Sequence, residues 1–148
     1  MSIFAEERSL AHELQQSIAE EHRLLAEQVE LASLEIGNFF SKAAKRSPSD
    51  VKRLVRLLGE LIETAEAHFH HEEALMKKDG FSGFFLHKRD HDDLLKRLNR
   101  FASSLSGGRL PVPGGRGADL QSWLAAHTKK FDDPYIAFAE ARSREAGE

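Results

Sequence analysis

The stretch "AHFHHEEALM", Ala67–Met76, decides the fold of this chain. It lies near the end of a segment in which apolar residues recur at alternating steps of four and three, the spacing of one face of an α-helix. That face consists of Leu54, Leu58, Leu61, Ala65, His68, Glu72 and Leu75. A histidine and a carboxylate therefore occupy positions at which a bundle core holds aliphatic side chains. Because an unpartnered buried polar group costs about 2 to 7 kcal/mol, these two groups either satisfy each other and their neighbours or bind a metal.

Three other segments have the same helical spacing, and histidines again interrupt their apolar faces. The first face has Leu14, Ile18, His22, Leu25, Val29, Ala32, Ile36 and Phe39; the third has His87, His91, Leu94, Leu98, Phe101 and Leu105; the fourth has Leu120, Leu124, His127 and Phe131. The sequence contains no strand-like alternation. It therefore predicts an all-α fold, an antiparallel up-down-up-down bundle of four helices with a metal site in its core.

Capping and turn residues indicate where these helices begin and end. Ser47 can cap the second helix, Pro48 suits its first position, Asp50 faces its positive end and Gly80 stops it. The segment "SGGRLPVPGGRG", residues 106–117, is rich in glycine and proline and predicts an exposed loop. We therefore expect helices over roughly 5–45, 48–79, 83–105 and 118–144.

Composition limits the classes of protein to which the chain can belong. Its 148 residues, 41% of them hydrophobic, predict one domain over residues 1–148. A net charge of -3 argues against a nucleic-acid partner, and the absence of cysteine excludes disulfides and thiolate metal sites. The charged residues Glu6, Glu7 and Arg8 do not fit a signal peptide, and no apolar run is long enough to span a membrane. We expect a cytoplasmic protein that does not enter membranes.

The fourth helix contains an irregular spacing. Asp132 follows His127 by five residues, which is about 140° round a regular α-helix and too far to reach the same site. Pro134 cannot donate a backbone hydrogen bond to Lys130, and its ring crowds that carbonyl. We therefore predict that the backbone between His127 and Pro134 widens into a π-bulge, which turns Asp132 inward.

The candidate ligands are too numerous for one metal ion. They are His22, His68, Glu72, His87, His91, His127 and Asp132. Five imidazoles supply five bonds and two bridging carboxylates four, about nine of the twelve that two octahedral ions need. A bridging oxide or hydroxide adds two, which leaves one position open. A single zinc would leave several of these groups buried without partners. The set predicts two ions, and the ligand chemistry alone allows iron, manganese or zinc.

These motifs together resemble a known family. His22, "HFHHEEALM", "HKRDH" and "WLAAHTKKFDDPY" resemble the hemerythrin family, specifically the bacterial hemerythrins, over about Ile18 to Tyr135. The resemblance implies a non-haem site of two Fe ions with a bridging oxide or hydroxide. It implies that one iron is coordinatively filled and one has a vacancy, with two carboxylate bridges. The filled iron would be held by His87, His91 and His127, the other by His22 and His68, and the bridges would be Glu72 and Asp132.

The resemblance also implies a function. It points to a protein that binds O2 as a carrier, store or sensor, and five neutral imidazoles favour reversible binding. The alternative is a di-iron enzyme that acts on peroxide or nitric oxide; small anions are further candidate ligands. The side chains expected to wall the vacancy are Ile18, Leu25, Ala65, Phe69, Trp123, Leu124 and Thr128.

Thr128 stands where the family commonly has isoleucine. Its hydroxyl either contacts the bound ligand or bonds back to the Leu124 carbonyl. The N-terminal segment also departs from the family, because it is predicted to be helical well before His22. We interpret it as a surface for self-association or for attachment to a fusion partner.

Other polar residues are expected to be solvated. His12, His70 and His71 lie off the inward faces. Glu73 is predicted to point outward. The charge runs "EERS", "KRLVR" and "KRDHDD" are predicted to form solvated faces.

Overall fold

The fold is a bundle built from helices alone in the described part of the chain. A computed structural model describes the backbone of residues 3–41, 47–108 and 116–146, and the side chains of residues 16–41, 47–108 and 120–145. The elements are α1 (Ile3–Ser41), α2 (Pro48–Asp79), α3 (Phe84–Ser106), α4 (Arg116–His127), a π-helical segment (Thr128–Asp132) and α5 (Asp133–Ala146). Helix α1 packs against α2, α4 and α5, and α2 packs against α3. The predicted fold class is confirmed, as is the early start of the first helix.

The ends of α2 follow from its capping residues. The Ser47 hydroxyl accepts a hydrogen bond from the Asp50 backbone N–H, and the Asp50 carboxylate accepts one from the Ser47 N–H. Pro48 is the first helical residue. Gly80 ends the helix at φ 68°, a left-handed conformation that costs glycine little. Because only residues 80–83 join α2 to α3, the two helices run antiparallel.

The last helix of the bundle is interrupted where its sequence spacing is irregular. The Asp133 N–H donates to the carbonyl of Thr128, five residues earlier, as in a π-helix. The side chain of Asp132 is buried as a result, while that of Phe131 is only half-buried. The predicted bulge, which carries Asp132 inward, is confirmed.

Two hydrophobic clusters enclose a polar layer along the bundle. The larger cluster contains most of the predicted inward residues of the first three helices, among them Leu25, Leu58 and Leu98. The smaller one contains Met76, Phe84 and Tyr135. Along α2 the buried polar residues Glu72 and Glu73 lie between Phe69 of the larger cluster and Met76 of the smaller one. The prediction that Leu75 points inward is wrong in part, because Met76 is fully buried and Leu75 only half-buried.

The parts of the predicted boundaries that fall on residues 42–46 and 109–115 lie outside the described residues, as does the side chain of His12. Among the described helices, none combines the length and the apolar character that crossing a lipid bilayer demands.

Candidate metal centre

Five of the seven predicted ligands converge on one point in the bundle. Each offers one nitrogen or oxygen atom, and these atoms all lie within 4.8 Å of one another. The five residues are Glu72 from α2, His87 and His91 from α3, His127 from the end of α4, and Asp132 from the π-helical segment. All five are buried. The two residues outside this group are His22 and His68.

The two carboxylates connect this group to His22 and His68. One oxygen of Glu72 lies 2.6 Å from His87 Nε2 and the other lies 3.6 Å from His68 Nε2. One oxygen of Asp132 lies 3.0 Å from both His87 Nε2 and His127 Nε2. Its other oxygen lies 3.4 Å from His22 Nδ1. Each carboxylate thus contacts histidines on two sides.

Outer carboxylates contact three of the predicted ligand histidines and also His71. His91 Nδ1 lies 2.8 Å from Glu73, and His127 Nδ1 lies 2.7 Å from Asp90. Glu21 contacts His68 Nδ1 at 3.1 Å and His71 Nδ1 at 2.7 Å with its two oxygens. A histidine whose Nδ1–H donates to a carboxylate presents its Nε2 to a metal.

These contacts correct several sequence predictions. Glu73 does not point outward; its exposed fraction is 8%. Asp90, within the run "KRDHDD", faces the core on one side instead of belonging wholly to a solvated face. His71 is half-buried against Glu21, whereas His70 is exposed as predicted.

The contact between His91 and His127 tests whether this donor set fits a cation. Their Nε2 atoms lie 3.1 Å apart. Because each ring donates from Nδ1 to a carboxylate, which can only accept, the Nε2 of the neutral ring carries a lone pair. Two lone pairs at this distance repel each other unless a proton or a metal cation lies between them.

Neighbouring ligands of an octahedral ion with bonds of about 2.1 Å lie about 3 Å apart. The separations of 3.0 Å between Asp132 and the Nε2 atoms of His87 and His127 match that value. One oxygen of Glu72 has no hydrogen-bond partner among the described residues, although His87 is close to it. The residues present therefore fit a bound metal.

The comparisons with known proteins agree with this chemistry. A family model described as the hemerythrin HHE cation binding domain matches residues 13–139. The chain belongs to the hemerythrin family. Its hemerythrin relatives include a myohemerythrin from Sipunculus nudus, 30% identical over 61% of this chain and 66% of the relative. A bacteriohemerythrin from Aquifex aeolicus is 29% identical over 56% of this chain and 65% of the relative. A bacteriohemerythrin from Methylococcus capsulatus is 31% identical over 53% of this chain and 60% of the relative.

The matched stretch thus spans somewhat less than two thirds of the length of these hemerythrins. No solved structure matches the chain.

The ionisable side chains of the candidate metal centre change one another's pKa values. Burial lowers the pKa of His87, but the nearby carboxylates of Asp132 and Glu72 outweigh it and raise the pKa to about 9. Burial raises the pKa of Asp132, yet His127 and His87 hold it well below its usual range. For Glu72, burial likewise raises the pKa, and the neighbouring His87 and His91 overcome it and lower the pKa. The carboxylates of Glu72 and Asp132 are therefore stabilised by a positive charge next to them. A proton on His87 supplies this charge, and a bound metal ion can take the place of the proton.

Aromatic rings cover the histidines on the side of the larger cluster. Phe69 stacks on His91 with ring centroids 3.9 Å apart and an angle of 5°. Trp123 stacks on His127 at 4.6 Å and 12°. The structure buries Ile18, Leu25, Ala65, Phe69 and Leu124, and half-buries Trp123 and Thr128. The residues predicted to wall the vacancy thus form mainly apolar surroundings.

His22 lies at the most open side of the candidate metal centre. Its side chain is 26% exposed, more than that of any other predicted ligand. It borders an open groove of about 620 Å³, whose other lining residues include Ala26, Leu124 and Thr128. The Thr128 hydroxyl lies 3.1 Å from His22 Nε2. Thr128 therefore contacts a predicted ligand directly, a role that its position in the sequence did not indicate.

Proposed function

We propose that this chain is a non-haem di-iron protein that binds O2 reversibly at one open iron position, as an oxygen carrier, store or sensor. The observation that supports this proposal most strongly is the pair of carboxylates, each of which contacts histidines on two sides. Such contacts suit two ions with shared bridges better than one ion. Membership of the hemerythrin family supports iron as the metal.

In this proposal the protein holds the two ions unequally. His87, His91 and His127 would bind one ion, and His22 and His68 the other, with Glu72 and Asp132 shared. Three histidines would fill the coordination positions of the first ion, whereas two histidines would leave one coordination position free on the second ion. When bound, the two iron ions would supply the electrons and the open coordination position that O2 needs.

The surrounding residues favour binding over turnover. The side chains of Ile18, Leu25 and Ala65, which are expected to wall the open position, are buried and would keep water away from it. Only two carboxylates face the ions, so the donor set leaves much of their positive charge uncompensated and does not favour higher oxidation states. The outer carboxylates Glu73 and Asp90 fix the tautomers of two ligands.

Metal analysis tests the composition of the site. Purified protein should contain two iron ions per chain. The variant His91→Ala should contain fewer, whereas His70→Ala, in which an exposed histidine on α2 is removed, should contain the same number as the unmodified protein. A full iron complement in His91→Ala, or one ion or none in the unmodified protein, contradicts the assignment.

Stopped-flow mixing tests the function itself. The anaerobically reduced protein is mixed with O2 and then flushed with argon. A coloured adduct that returns to the reduced spectrum is the expected result. Irreversible bleaching with release or consumption of peroxide would instead indicate an enzyme that acts on peroxide.

A further inference from the structure

An apolar cavity of about 130 Å³ lies in the bundle beside the metal centre. Its lining residues include Ile36 from α1, Leu58 from α2, Leu94, Arg97 and Leu98 from α3, and Trp123 from α4. Four of these side chains are buried aliphatic groups that also belong to the larger hydrophobic cluster. The cavity is therefore a recess in the core that its side chains leave unfilled and that is partly open at its outer edge.

The chemistry of the lining selects the class of molecule that can enter. Arg97 is the one charged lining residue, and its side chain is exposed, so it lies at the outer edge of the cavity. The buried lining offers no hydrogen-bonding side chain except the indole of Trp123. Water needs two to four polar partners in such a space. An enclosed apolar cavity of about 150 Å³ is known to stay dry and to take up xenon or benzene. This cavity has a similar volume and a similar apolar lining, although its outer edge is open.

Trp123 forms the wall that the cavity shares with the metal centre. Its indole lines the cavity and also stacks on His127, with ring centroids 4.6 Å apart. It also contacts Phe69, whose ring stacks on His91. Leu94 follows His91 by three residues on α3, so it lies one helical turn from a predicted ligand. A small molecule in the cavity is thus separated from the predicted ligands by one layer of aromatic rings.

We propose that this cavity binds small apolar gas molecules, and that it holds O2 behind Trp123 before O2 reaches the metal centre. The gas-binding part depends only on the cavity, whereas the delivery of O2 rests on the proposed function. Trp123 also belongs to the residues expected to wall the open position, so O2 that passes its ring would enter that position past apolar side chains.

Xenon tests the binding site without reference to iron. Crystals of the purified protein are pressurised with xenon, and the expected result is xenon density between Leu58, Leu98 and Trp123. Xenon that occupies other places and leaves this cavity empty overturns the proposal.

A filling variant tests the delivery of O2. Leu58→Phe places a larger side chain in the cavity. Leu54→Phe, one turn earlier on the same helix and also buried, is the matched control, because Leu54 does not line the cavity. Reduced protein of each variant is mixed with O2 in a stopped-flow instrument. The association rate should fall several-fold in Leu58→Phe relative to Leu54→Phe, with equal iron content. Equal association rates overturn the delivery of O2.

A second filling variant and the iron content of the protein distinguish the possible failures. If Leu58→Phe does not fold, Leu98→Phe replaces it, since Leu98 lines the same cavity from α3. If the unmodified protein contains no iron, the proposed function fails, and the xenon result still decides on the cavity. If iron is present and O2 binds reversibly but the cavity takes up no xenon, only this further inference is wrong.

Discussion

Replacing Glu73 should weaken metal binding although Glu73 is not itself a predicted ligand. Its carboxylate accepts the Nδ1–H of His91 at 2.8 Å, and both side chains are buried. In Glu73→Leu the Nδ1–H of His91 loses its acceptor. The tautomer in which Nε2 carries the free lone pair is then no longer fixed. The Nε2 could then carry the hydrogen and would be unable to bind the metal until the tautomer changes.

The structure indicates how large the effect should be. Loss of such an outer partner costs about 10- to 100-fold in metal affinity, or about 1.4 to 2.8 kcal/mol. Phe69 still stacks on His91 in the variant and keeps the plane of the ring. Glu73→Gln should therefore lie near the lower limit, because the amide oxygen still accepts the hydrogen bond. Glu73→Leu should lie near the upper limit.

Chelator competition measures this effect. Each variant is titrated with ferrous ion, without oxygen, against a chelator of known affinity. Glu66→Gln is the control, since Glu66 is an exposed glutamate on the same helix. The expected order of affinity is unmodified protein and Glu66→Gln, then Glu73→Gln, then Glu73→Leu. An affinity of Glu73→Leu equal to that of the control would refute the role assigned to the His91 contact.

Three further predictions follow from the bulge, the pKa of His87 and the position of Thr128. Lys129 is an exposed residue of the π-helical segment. Its deletion places Asp132 four residues after His127 and should restore a regular α-helix, with the iron content retained. An iron-free deletion variant would contradict this geometry. In the metal-free protein, the raised pKa of His87 adds up to about 3 kcal/mol to the free energy of unfolding. This contribution is complete below about pH 6.5 and is lost as the pH rises through about 9. Urea unfolding at pH 6 and pH 9.5 should show this loss, and a metal-free protein equally stable at both would contradict it. Thr128→Ile removes the hydroxyl that contacts His22 and should change the rate of oxidation by air, followed by absorbance; an unchanged rate excludes a role of this hydroxyl in the pocket.

Much of the fold could be predicted because helical spacing and capping are local properties. The positions of His68 and Glu72 within a row of leucines on α2 indicated their burial, and the structure buries both. Ser47 and Gly80 have fixed geometric roles at the two ends of this helix. The five-residue step from His127 to Asp132, with a proline two residues later, was incompatible with a regular helix. Each of these inferences needed only a short stretch of sequence.

The outer partners of the histidines could not be predicted in the same way. Glu72 and Glu73 are adjacent and chemically identical, and periodicity assigned only one of them to the core. The burial of Glu73 depends on the space between α2 and α3, where His91 needs an acceptor. Thr128 and His22 are far apart in sequence, and their contact depends on how α1 packs against the last helix. Such contacts depend on the distances between helices, and the spacing of residues within one helix gives no information about these distances.

The shared carboxylates have a consequence for how the protein fills with metal. Glu72 and Asp132 each contact both sets of histidines, so the first ion to arrive would align an oxygen of each for the second. Uptake would then be cooperative. During iron shortage, molecules would be either empty or complete, and a cell would hold fewer working copies instead of many half-assembled ones.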